Sequence, residues 1–93
     1  MEKKSAWRRE LEKTLSLAAR DPKTLNLFLD DLLSPEELLA LPVRWQVIKR
    51  LNQGLPQHQI AKKLGIGVAT VTRGAKMLKN QQGGFRKILN TLK

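Results

Sequence analysis

Between Val68 and Lys79 the chain reads Val-Ala-Thr-Val-Thr-Arg-Gly-Ala-Lys-Met-Leu-Lys, small apolar groups and hydroxyls interleaved with cations. Wound as a helix, this run turns Val71, Ala75 and Leu78 to one side at i, i+4 and i+7. The other side then offers Ala69, Thr70, Thr72, Arg73, Lys76 and Lys79. Valine and threonine methyls suit a thymine methyl, hydroxyls bond a base edge or a phosphate, and ammonium groups pair with phosphates. The chemistry is that of a surface laid against a polyanion.

The preceding residues supply what would hold such a helix. Pro56 is expected at a first helical position, where its missing N–H costs nothing, and Ile60, Ala61 and Leu64 then share one face. Gly65 is the stop. A left-handed backbone there allows Gly65-Ile66-Gly67 to turn sharply, with Ile66 plugging the angle between two helices and Ala61 small enough to let them cross. Gly54 to Lys79 therefore reads as a helix-turn-helix. The competing reading is an ordinary amphipathic hairpin with a solvated basic face. Charge weighs against it: the first 37 residues hold all eight acidic and seven basic residues, whereas the remaining 56 hold eleven basic and no acidic ones. A solvated helix face mixes signs, because unlike charges at i, i+4 support each other. A one-signed field repels itself and is best placed beside nucleic acid.

Ninety-three residues make one domain with a modest core, so self-association would help. There is no cysteine, and His58 is the only histidine, which leaves no disulfide and no thiolate or clustered-imidazole metal site. Met1-Glu2-Lys3-Lys4 leads into polar helix rather than an apolar signal core, and apolar runs are short. The expected compartment is the cytoplasm, with no membrane partner.

The elements that must position the reading helix are all helical. A first helix, about 5 to 19, carries a stripe of Trp7, Leu11, Leu15 and Ala18, and a second carries Leu25, Phe28, Leu29 and Leu32. Asp21-Pro22 marks the turn or helix start between them. Ser34-Pro35-Glu36-Glu37 is a capping box that starts a helix over 35–41; Pro42 interrupts it, and a further helix over 43–53 uses Val47, Ile48 and Leu51 before Gly54 ends it. Asn80 to Gly84 is a polar loop, and Phe85, Ile88, Leu89 and Leu92 mark a short last helix. The N-terminal pair exposes Trp7, Leu11, Phe28 and Leu32 with nothing local to cover them, so a homodimer is expected. Two reading helices could then enter successive major grooves roughly 34 Å apart. The division is 1–53 for dimerisation, 54–79 for the helix-turn-helix and 84–93 for the C-terminal helix.

Leu33-Ser34-Pro35-Glu36-Glu37, Arg44 and Gly65-Ile66-Gly67-Val68-Ala69-Thr70-Val71-Thr72-Arg73-Gly74 together resemble the tryptophan repressor family, the Ala69–Gly74 element most specifically. The resemblance runs from about Leu25 to the end. It implies an all-α, six-helix chain forming an intertwined homodimer, and a helix-turn-helix that moves into register for double-stranded operator DNA when an amino-acid corepressor such as L-tryptophan binds. It places Gln57 and His58 against phosphates or base edges and Val68, Ala69, Thr70 and Thr72 in the groove. Lys62, Lys63, Lys76 and Lys79 fall to sequence-blind phosphate contacts.

The same resemblance gives the corepressor site. Arg44 and Arg73 would flank an indole, Arg73 also pairing with the ligand carboxylate, since guanidinium planes stack on aromatic faces and bind carboxylates. Ser34 keeps a hydroxyl where the family usually has threonine, besides its role as helix cap. Gly74 keeps the pocket floor free of a side chain, and Leu33 would offer its carbonyl to the ligand ammonium from the other subunit. Met77 stands where the best-known members have serine, Asp31 replaces an apolar residue, and Pro42-Val43 replaces Gly-Thr. For both arginines the alternative is surface pairing with phosphate or carboxylate.

Two other readings stay open: a ligand-independent, repressor-like DNA-binding protein, and a basic protein of RNA or the ribosome. The second lacks an exposed aromatic series for stacking unpaired bases. Catalysis is the weakest option, with one histidine, no cysteine and no phosphate-cradling glycine motif.

Overall fold

The computed structural model describes residues 2–92, which form six α-helices and no strand. They are α1 (Lys4–Ala18), α2 (Pro22–Leu32), α3 (Pro35–Asn52), α4 (Gln57–Leu64), α5 (Val68–Leu78) and α6 (Gly84–Thr91). The chain divides into two compact units, the first ending at Leu38.

In the first unit, α1 and α2 form a hairpin joined by a tight turn in which Asp21 N donates to Ala18 O at 3.2 Å. Pro22 begins α2, where the helix has no need of its N–H, and Thr24 Oγ1 donates to Asp21 Oδ2 at 2.8 Å across that first turn. Two helices alone cannot enclose their apolar stripes. Among the described residues of this unit Ala18 alone is buried, while Trp7 remains 49% and Leu27 65% exposed.

The capping box at the head of α3 is reciprocal: Ser34 N donates to Glu37 Oε1 at 2.8 Å, and Glu37 N donates to Ser34 Oγ at 3.2 Å. The expected break at Pro42 does not occur. One helix runs from Pro35 to Asn52 with Pro42 inside it, so the expected helices over 35–41 and 43–53 are a single element. Proline removes the bond to the carbonyl four residues back and crowds it, but its fixed φ near −65° is itself helical. The cost is local, and each side of Pro42 has its own support, a capped start before it and buried Val47 and Ile48 after it.

The core of the second unit is Val47 of α3, Ile60 of α4 and Val71 of α5, with Leu51, Leu55, Ala61, Leu64 and Ile66 packed around them. α3 ends as expected at Gly54, whose φ is +85°. Gly54 N reaches Leu51 O at 3.0 Å and Leu55 N reaches Arg50 O at 3.2 Å, the bond pair that closes a helix through a left-handed residue. Pro56 sits one place outside the expected position. It is the extended cap before α4, with ψ 145°, and its carbonyl receives Ile60 N at 3.2 Å.

Candidate nucleic-acid interface

The turn between α4 and α5 repeats the device that ends α3. Gly65 takes φ 65° and ψ 39°, Gly65 N donates to Lys62 O at 3.3 Å, and Ile66 N donates to Ala61 O at 3.0 Å. These bonds satisfy carbonyls that the end of α4 would otherwise leave open. Ile66 and Ala61 both pack on the Val47–Ile60–Val71 core, so the turn is fastened by burial as well. Gly67, extended at φ −68° and ψ 144°, then precedes the first residue of α5.

This arrangement divides α5 cleanly. Val71 is 0% exposed and Leu78 is buried, whereas Val68, Ala69, Thr70 and Thr72 all face outward. Lys76 is exposed on the same helix and Lys79 at its end; Lys62 and Lys63 are exposed on α4. His58 is exposed and Gln57 half-buried at the start of α4. The Thr72 hydroxyl lies 2.8 Å from Gln57 Oε1 and 3.0 Å from Val68 O, joining the beginning of α4 to the middle of α5. Among the described residues the only ion pair is Arg8–Glu12, in the first unit. The lysines around α4 and α5 have no acidic side chain in their own unit to pair with, because no Asp or Glu follows Glu37 in the sequence.

The residues that family resemblance assigns to a corepressor fall in both units. Leu33 and Ser34 are half-buried between α2 and α3 of the first. In the second, Arg44 and Arg73 are exposed, and neither makes a side-chain hydrogen bond or ion pair among the described residues. Gly74 is packed rather than open: a Cβ placed on it would stand 3.0 Å from Val47 Cγ1 and 3.4 Å from Ile48 Cδ1. Met77 is 51% exposed and borders an open groove with Trp45, Phe85 and Ile88. The Trp45 and Phe85 rings meet there at 6.3 Å, tilted by 38°.

One supporting residue escaped the sequence reading. Arg86 Nε donates to Leu78 O at 3.1 Å, and its Nη1 donates to Asn52 Oδ1 at 3.2 Å, so one guanidinium caps the last carbonyl of α5 and ties it to the side chain of the last residue of α3. A cation just past a polar loop gives no sign of this, since its acceptors lie eight and 34 residues away. No group of three or more histidines, cysteines or carboxylates that could hold a metal occurs among the described residues.

Comparison with known proteins bears on this geometry. The model of the Trp repressor protein family matches residues 6–93. The chain is similar to a Trp operon repressor homologue of Vibrio campbellii, 33% identical over 92% of this chain and 85% of that one. It is similar to homologues so named in Vibrio cholerae, 37% identical over 83% and 74%, and in Mannheimia succiniciproducens, 39% identical over 85% and 77%. No solved structure matches the chain at a significant level. With six helices, a glycine-closed helix-turn-helix and a match over nearly its whole length, the chain belongs to the Trp repressor protein family, whose members are DNA-binding transcription regulators rather than enzymes.

Proposed function

We propose that the chain is a sequence-specific, operator-binding repressor that acts as a homodimer in the cytoplasm, its affinity for DNA set by an amino-acid corepressor. The observation that carries this reading is the outward row Val68, Ala69, Thr70 and Thr72, seated over buried Val71 on a unit whose lysines have no Asp or Glu to pair with. Small methyl and hydroxyl groups on an outward helix face suit a major groove, and lysines beside them suit phosphate contacts. Residues 1–53 would supply the dimer contacts, 54–79 the reading head and 84–93 its brace.

Tryptophan is the first ligand to test, because the relatives are named for the Trp operon. Arg44 and Arg73 have the planar, charge-fixed groups that an indole and a carboxylate require, and neither is engaged elsewhere in its unit. The ligand-independent reading draws support from Met77, an exposed thioether that accepts hydrogen bonds only weakly where an ammonium would need a partner.

Selection of bound duplexes from a random library, with and without L-tryptophan, tests both levels. The expected result is a two-fold symmetric site, half-sites about 34 Å apart, recovered only with the ligand. Equal recovery without it transfers the assignment to the ligand-independent form, and no enrichment in either arm removes sequence-specific binding.

A further inference from the structure

Thr72 stands in the outward row, yet its hydroxyl is already occupied. The hydroxyl has one proton and two acceptors within reach, Gln57 Oε1 at 2.8 Å and Val68 O at 3.0 Å, and the shorter contact is the one to Gln57. Among the described residues this is the one side-chain hydrogen bond between α4 and α5. The two residues are 15 apart in sequence, so the bond spans the turn rather than stitching one helix.

We propose that Thr72 is a positioning residue: it grips the Gln57 amide by its oxygen and thereby turns the Gln57 NH₂ outward as a fixed donor for a phosphate oxygen of bound DNA. The inference rests on the operator-binding reading above. An amide has an accepting end and a donating end, and holding the first leaves the second. Gln57 opens α4, where unpaired backbone N–H groups also point away from the helix, so the amide extends a donor surface already there. A free glutamine loses considerable rotamer freedom when it meets a partner, and a glutamine held in advance loses less. The Thr72 methyl remains free for apolar contact, but base discrimination by a hydroxyl falls to Thr70. A neutral donor to phosphate also leaves the salt dependence unchanged, because no counterion is released on its account.

The test measures affinity of the full chain for its selected operator and for a scrambled duplex, as a function of salt, for Thr72→Val, Thr72→Ser, Gln57→Ala, Gln57→Glu and the Thr72→Val/Gln57→Ala pair. Thr72→Val is expected to weaken both duplexes alike, by about fivefold, with no change in salt slope and with recovery to near wild type in Thr72→Ser. The double variant should bind no worse than Gln57→Ala alone, since the threonine acts through the glutamine. Gln57→Glu still accepts the Thr72 proton but presents a charge to phosphate, and should bind worse than Gln57→Ala. Multiplying losses in the double variant, or a Thr72→Val loss confined to the operator, would make Thr72 a direct reader and overturn the proposal. So would a lowered melting temperature for Thr72→Val with no coupling in affinity. Failure of the unaltered chain to bind either duplex would overturn the DNA-binding reading itself, and this inference with it.

Discussion

Gly74 of α5 faces Val47 of α3 so closely that a β-carbon on the glycine would stand 3.0 Å from Val47 Cγ1. Val47 cannot readily yield, being 1% exposed and stiff at χ1. Gly74→Ala therefore sets a gain in helix propensity of about 1 kcal/mol against overpacking of about 1–3 kcal/mol. A net loss of about 1 kcal/mol is expected, lowering the melting temperature by roughly 4–8 °C. Calorimetry on the variant checks it, and a rise in melting temperature would show that the helices part freely.

The two glycines flanking Ile66 should behave differently. Gly65 has φ +65°, where an alanine is strained whatever space surrounds it, whereas Gly67 has φ −68° and nothing within 4 Å of an added Cβ. Gly65→Ala is expected to cost about 1–2 kcal/mol. Gly67→Ala should stay within about 0.5 kcal/mol of the parent. Urea midpoints of the two variants compare them directly, and equal losses would contradict the backbone argument.

Thr70 and Lys79 should separate specificity from attraction. Thr70→Ala is expected to reduce the operator's advantage over a scrambled duplex by about 1 kcal/mol, the worth of one hydrogen bond. Lys79→Ala should weaken both duplexes equally and flatten the salt slope by about one unit. Titrations at several salt concentrations read both quantities; an equal loss on the two duplexes for Thr70→Ala would reassign it to the phosphate contacts.

The α1–α2 hairpin should be the seat of self-association. Trp7, Leu11, Leu17, Leu27 and Leu32 are exposed there over a single buried alanine, apolar side chains that a second copy of the chain would cover. Sedimentation equilibrium at micromolar concentration and moderate salt is expected to give a dimer, shifted toward monomer by Leu32→Lys. A monomeric parent chain would end the dimer hypothesis.

Much of the architecture was legible residue by residue. Gly54 and Gly65 close their helices, Ser34 and Glu37 cap α3, and Val71 turns inward while Thr70 turns outward, all as spacing and side-chain chemistry require. Pro42 on its own predicts a break, because a proline's penalty acts only on its immediate neighbours. The cap and the buried Val47 and Ile48 that support the two sides of α3 lie on either side of that window.

What the linear chain determined by itself was therefore whatever a few consecutive residues decide: glycine at a left-handed turn, a hydroxyl at a helix start, the 3.6-residue period of an apolar face and the absence of acids beyond Glu37. What only tertiary structure decided was who meets whom across long separations: Gly74 against Val47, Arg86 on Asn52 and Leu78, and Thr72 on Gln57. Backbone preferences act over one or two turns and leave a local signature. A hydrogen bond or close contact between distant residues exists only once packing has fixed both partners, so it is written in the fold and not in any short stretch of the chain.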